Sequence, residues 1–166
     1  MKAIICIDPS STDNNGVAIY IGEQRYFDTL SPVKVIELII NCCFHYDSLE
    51  FKGEGVDITS VEFRIYDDNA ISAIYASRLN PKQSLATKLK IAQSVGMVKA
   101  ASKLYIDMVK DVAKRTTILV SLITFKNSHR KLDPKEFNTY TKCTIKTNQH
   151  ERDAAMLMFY HGKKVL

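Results

Sequence analysis

A chain of 166 residues with a formal net charge of +5 and a sequence pI of about 9.0 is long enough to bury a core in one domain without disulfides or a structural metal. No apolar run approaches the roughly 18 residues that span a bilayer, and Asp8 interrupts the N-terminal apolar run too early for a signal peptide, so neither a membrane protein nor a secreted one is expected. The cysteines, Cys6, Cys42, Cys43 and Cys143, contain no C-x-x-C pair, which argues against zinc and disulfide scaffolds and for a reducing cytoplasm, while the basic excess suits either a polyanionic partner or ordinary solubility.

The first predicted element is a strand over Ala3–Ile7, five apolar residues rich in isoleucine, the pattern of a strand covered on both faces. Asp8 follows on the face of Ile4 and Cys6, where a carboxylate is costly unless something positive neutralises it. Pro9, Ser10, Ser11, Asn14, Asn15 and Gly16 form a polar turn. Val17–Ile21 returns as a second strand, giving a hairpin with an acid at its hinge. An ordinary turn or cap aspartate is the alternative use of Asp8. Gln24–Asp28 supplies a third strand. Ser31 as N-cap and Pro32 at the first helical position open a helix that ends near Tyr46. A polar loop covers Asp47–Gly55, and Val56–Phe63 is the fourth strand, with Glu62 at its end.

Arg64–Ser84 is less regular; it carries Tyr66, Asp67 and Asp68, and Ala70–Arg78 has the length of a helix. Leu85–Lys114 is the longest helix. Ile91, Val95, Val98, Ser102, Tyr105, Val109 and Val112 mark one face. Lys99, Lys103, Lys110 and Lys114 line another, either a solvated face or a track for a polyanion. Gly96 costs about 1 kcal/mol against Ala in a helix, so close packing is expected there. Thr117–Phe125 is the fifth strand, followed by Lys126 and a basic loop with Asn127, His129, Arg130 and Lys131. Asp133 and Glu136 form a capping box, as do Asn148 and Glu151. The second box opens a terminal helix with His150 and Asp153 on one face, and small Ala154 and Ala155 allow that helix close to a sheet.

I-D-P-S-S-T followed by G-V-A-I-Y resembles the opening strand pair of the RuvC family of Holliday-junction resolvases, which have a ribonuclease H-like fold. V-E-F around Glu62 looks like that family's second catalytic carboxylate, Q-S-V-G-M-V-K-A-A-S its Gly-containing helix, and H-E-R-D-A-A its C-terminal motif. There an acid or His precedes the final catalytic Asp by three. The motifs span most of the chain. The kinase and actin superfamily opens similarly, but no Gly-rich nucleotide loop appears, there are six glycines, and the chain is short for two such domains.

The resemblance implies an α/β fold. A mixed central sheet is expected, its first three strands antiparallel and the later ones parallel, flanked by helices in a single nuclease domain over residues 1–166. It implies a Mg²⁺-dependent endonuclease, with Mn²⁺ as substitute and two ions per site. Asp8, Glu62, Asp153 and His150 would hold the metal. Lys126 would stabilise charge on the scissile phosphate. Lys126, Arg130, Lys131, Arg64 and Tyr66 would contact DNA, and Asp67 and Asp68 are rival ligands. The implied substrate is a four-way junction, nicked to leave 5′-phosphate and 3′-hydroxyl ends by a homodimer whose twofold axis matches that of the junction. No membrane or nucleotide cofactor is expected, and the compartment is a bacterial or phage-infected cytoplasm. The alternatives are a related nuclease acting on other branched DNA or RNA, and a junction-binding module that does not cut.

Overall fold

The computed structural model describes residues 1–44, 58–67, 82–126 and 131–166. The expected loop Asp47–Gly55 and helix Ala70–Arg78, with Asp68, Asn127, His129 and Arg130, lie outside them. In chain order the elements are β1 (Lys2–Asp8), β2 (Asn15–Ile21), β3 (Gln24–Leu30), α1 (Pro32–Phe44), β4 (Ser60–Tyr66), α2 (Leu85–Ala113), β5 (Leu119–Phe125), α3 (Pro134–Thr141), α4 (Gln149–Met156) and the two-residue β6 (Lys163–Lys164).

The strands form one mixed, open sheet in the order β3-β2-β1-β4-β5-β6. β1 pairs antiparallel with β2, and β2 with β3. β4 lies parallel to β1, and β5 parallel to β4. The isoleucine-rich β1 is therefore central, as its continuous apolar run requires. The C-terminal ends of β1, β4 and β5 point the same way, and Asp8 closes the end of β1.

Alternation sorts the sheet residues into two cores. Ile5, Ile7, Val17, Ile19, Val61, Phe63 and Ile65 face α1 and α2. Cys6, Ala18, Tyr20 and Phe125 face α3 and α4, whose Phe137, Ala154 and Ala155 complete that core. Asp8 falls on the α4 face by the same alternation.

Both predicted capping boxes are formed, Asp133 with Glu136 and Asn148 with Glu151. In α2, Ser102 is buried because its hydroxyl donates to the Tyr66 carbonyl, tying the helix to the end of β4. Two expectations are corrected. Beyond its own turns of helix, no described atom of the chain lies within 4 Å of where a Cβ on Gly96 would sit, so packing against the described residues does not explain it. β4 does not end near Phe63: its pairing with β5 continues to Tyr66↔Phe125. Val61, Phe63 and Ile65 keep burying one face, which carries the strand three residues further.

Candidate active site

Asp8 sits where three elements converge. It is the last residue of β1 and pairs with Gly16 at the start of β2. Across from Gly16 lies the first turn of α4. A Cβ on Gly16 would meet the His150 carbonyl oxygen at 1.9 Å, so the helix backbone occupies the space a side chain would need. The Asn15–Gly16 pair, which reads as turn chemistry, instead begins a strand. Asn15 is fully buried and holds the preceding loop: its Oδ1 accepts from the Ser10 N–H at 3.1 Å and its Nδ2 donates to the Leu30 carbonyl at 3.0 Å.

This contact brings His150 and Asp153 over the end of β1. His150 Nδ1 lies 3.5 Å from Asp8 Oδ2. The Asp8 side chain is only 18% exposed. Burial pushes its carboxyl up from the ordinary range; the hydrogen bond from His150 opposes that, and the negative charge of Asp153 adds to it. The His150 imidazole is raised in turn, first by its hydrogen bond to Asp8, with burial opposing. Burial thus disfavours the charged form of Asp8, and His150 offsets this only in part.

Asp153 is held from both sides. Gln149 Nε2 donates to its Oδ1 at 2.6 Å, and Lys131 Nζ lies 3.6 Å from its Oδ2. The buried Arg152 supports this arrangement, donating to Gln149 Oε1 at 3.1 Å and to the carbonyls of Leu132 and Thr147. Gln149 and Arg152 went unread in the sequence because a glutamine and an arginine in a first helical turn carry no distinguishing pattern.

Tyr66 closes the other flank. It ends β4 on the α4 face, its ring edge-on to Phe125 at 6.3 Å. Burial, then the negative field of Asp8, raises its phenol well above the ordinary range. Asp67, one residue on, donates its backbone N–H to Phe125 O at 2.8 Å and stands at the same end of the sheet as Asp8. Lys126 is exposed immediately past β5, also at this end.

Glu62 is not part of this cluster. It pairs across from Ile4, four residues before Asp8 and so about 13 Å back along the strand. Its carboxylate is buried between two cations, with Lys2 Nζ at 2.5 Å and Arg64 Nε at 2.7 Å. Burial alone would raise its carboxyl, but the hydrogen bonds from Lys2 and Arg64 outweigh that and the net direction is down. Arg64, expected to contact DNA, is itself committed. Its Nη1 donates to the carbonyls of Leu157 and Met158 at 2.9 and 3.0 Å, just past the C-terminus of α4, and 16% of its side chain is exposed. Three of its five N–H donors are thus taken within the protein. Lys131 lies beside Asp153, and Arg130 is outside the described residues.

Among the described residues, no three His, Cys, Asp or Glu side chains are drawn together as a ready ligand shell, and no helix is long and apolar enough to cross a membrane. No family model, curated protein or solved structure matches the chain.

Proposed function

We propose that this protein is a metal-dependent endonuclease of branched DNA, with a ribonuclease H-like fold similar to that of the RuvC resolvases. The observation that carries the proposal is the contact of Asp8 with His150, one helical turn before Asp153, from opposite ends of the chain, at the C-terminal end of the central strand. The sheet order β3-β2-β1-β4-β5, antiparallel in its first three strands and parallel in the rest, supports the fold reading.

Two carboxylates suit Mg²⁺ or Mn²⁺, and the imidazole beside Asp8 favours Mn²⁺. Asp8, Asp153 and His150 would hold the ions. Glu62 is a poor third carboxylate, because its charge is already matched by Lys2 and Arg64. When bound, divalent ions supply an activated water and stabilise charge on the leaving oxygen. Gln149 and Lys131 orient Asp153. Lys126, exposed past β5, would meet the phosphate, where a cation stabilises developing charge. The junction as substrate, and 5′-phosphate and 3′-hydroxyl ends as products, follow from the resemblance. So does a homodimer; the exposed Leu85, Leu89, Met97 and Leu104 of α2 offer apolar surface for one. A non-cleaving junction binder is the second reading, favoured by the withdrawal of Glu62 from the cluster.

The deciding experiment incubates the protein with a synthetic four-way junction, a fork, a duplex and an RNA–DNA hybrid, each with Mg²⁺ or EDTA. Metal-dependent paired cuts in the junction are expected. Cutting of the hybrid or fork alone moves the substrate class, and binding without cutting selects the second reading.

A further inference from the structure

Among the described residues, Asp8 pairs with His150 and Asp153 with Lys131. Both carboxylates are mostly buried, with 18% and 16% of their side chains exposed. The Lys131 side chain is 64% exposed. Its backbone is nevertheless anchored, because the next carbonyl, that of Leu132, accepts from the buried Arg152 Nε at 3.1 Å. The Lys131 charge also reaches the rest of the cluster. Asp8 feels it behind the larger effects of burial and of His150, and His150 feels it behind those of Asp8 and of burial.

The two oxygens of Asp153 are held differently. Oδ1 accepts from Gln149 Nε2 at 2.6 Å, and Arg152 fixes that amide by donating to its Oε1. This partner is neutral and lies within α4. Oδ2 faces the Lys131 ammonium at 3.6 Å, beyond the roughly 3.2 Å of a good N–H···O hydrogen bond. Glu62 shows the contrast. Its cations lie at 2.5 and 2.7 Å, and one of them, Arg64, is itself mostly buried and tied to backbone carbonyls.

An exposed ion pair is ordinarily a solvated surface contact, cheap to make and to break. This one sits on the carboxylate oxygen left over once Gln149 has taken the other. A divalent cation binds carboxylate oxygens directly, and its charge repels an ammonium on the same oxygen. Lysine carries its charge as a compact ammonium on a flexible four-carbon stem, so it can withdraw into solvent while its backbone stays fixed to Arg152. We propose that Lys131 is a resident counter-ion of the cluster: its ammonium holds Asp153 Oδ2 in the metal-free protein, and a divalent cation must expel it to bind. This rests on the metal reading of Asp8, His150 and Asp153, and adds that the chain lowers its own metal affinity with a built-in competitor.

The test is calorimetric titration of the full chain with Mn²⁺ at low salt and without DNA. Lys131→Met keeps the stem and removes the charge. It should bind Mn²⁺ roughly two- to fivefold more tightly, the gain from no longer having to break an exposed ion pair. Lys131→Arg, which keeps the cation, should bind as wild type. Lys34→Met breaks a comparable exposed pair, with Glu37 on α1 across the sheet, and should leave the affinity unchanged. Raising the salt should narrow the gap between Lys131→Met and wild type. Thermal melts in EDTA establish that the variants fold, and added Mn²⁺ should raise the Tm of Lys131→Met by more than that of wild type. Mn²⁺ binding by Lys131→Met at or below wild-type affinity overturns the counter-ion role, and so does an equal gain in Lys34→Met. In both cases a wild type that binds Mn²⁺ keeps the metal reading. If neither wild type nor Lys131→Met binds Mn²⁺, the metal reading falls together with this inference.

Discussion

The carbonyl oxygen of His150 occupies the place a side chain on Gly16 would take, and Gly16 is the residue paired with Asp8. One glycine therefore sets the distance between the two halves of the cluster. Gly16→Ala forces α4 away from β2, because the clash is with backbone that cannot rotate aside. Overpacking of this kind costs about 1–3 kcal/mol. Thermal melts should show a Tm lower by several degrees, with junction cleavage falling much further than stability. Gly96→Ala is the control. Its surroundings are open among the described residues, and Ala is favoured in a helix by about 0.8–1 kcal/mol, so its Tm should rise. A Gly16→Ala protein with wild-type melting and cleavage would show that α4 does not depend on this contact.

Where one residue type has one dominant use, the fold was legible. Ala3 to Ile7 read as a buried strand and became the central one. The two capping boxes opened helices at the residues that announced them, because Asp133 and Asn148 have a local hydrogen-bonding task. His150 and Asp153 were legible as a pair because helix geometry puts residues three apart on one face. Glu62 was not legible. Whether an acid in a strand serves a site or an ion pair depends on register, and register between β1 and β4 is set by the apolar residues of both strands across a long connection. Lys2 and Arg64 gave no sign of their partner, since the three meet only after β1 and β4 pair and α4 docks.

The charged form of Asp8 is disfavoured by the fold. Its carboxyl is raised above the ordinary value of 3.8, chiefly by burial. A group whose folded pKa exceeds its unfolded one binds protons more tightly when folded, so stability falls as pH rises through that interval and stays lowered above it. Asp8→Asn removes the charge. In EDTA at neutral pH it should melt above the wild type, by roughly 2–4 °C for each 1 kcal/mol relieved. The advantage should vanish below about pH 4, and cleavage in Mg²⁺ should be lost while junction binding persists. A neutral-pH melt below that of the wild type would instead make Asp8 a structural cap.

His150 faces Asp8 at 3.5 Å, and that contact is the main reason its imidazole is raised above 6.5. In metal-free protein, the ring followed by NMR should titrate above 6.5, and Asp8→Asn should lower that midpoint. A neutral ring is the form that can bind a metal or orient water. His150→Asp should keep substantial cleavage, since a carboxylate can serve in its place, whereas His150→Ala should cut far more slowly yet still bind junctions. A His150→Ala rate equal to wild type would leave the ring without a catalytic part.

Glu62 and Arg64 act on the site from a distance. Lys2 and Arg64 hold the Glu62 carboxylate at 2.5 and 2.7 Å, and the same Arg64 grips the carbonyls of Leu157 and Met158 at the far end of the helix that carries His150 and Asp153. Cutting the chain at Glu62 leaves a partly buried guanidinium short of its charged acceptor. Hydrogen bonds to charged groups are worth about 1.5–3 kcal/mol each in such settings, so Glu62→Gln should lower Tm by several degrees at neutral pH. The sign with pH is the reverse of that for Asp8. The carboxyl of Glu62 is lowered below 4.5, because Lys2 and Arg64 outweigh the effect of burial. Its stabilisation is therefore full above the unfolded value, and is lost as pH falls from about 4.5 through the lower folded value. The gap between wild type and Glu62→Gln should accordingly close on acidification, whereas acids elsewhere affect both proteins alike. Calorimetric titration with Mn²⁺ separates an anchor from a ligand. Glu62→Gln should retain Mn²⁺ binding with reduced cleavage, and Asp8→Asn should lose both. If Glu62→Gln melts as the wild type does but no longer binds Mn²⁺, Glu62 is a metal ligand after all and the anchoring of α4 passes to Arg64 alone.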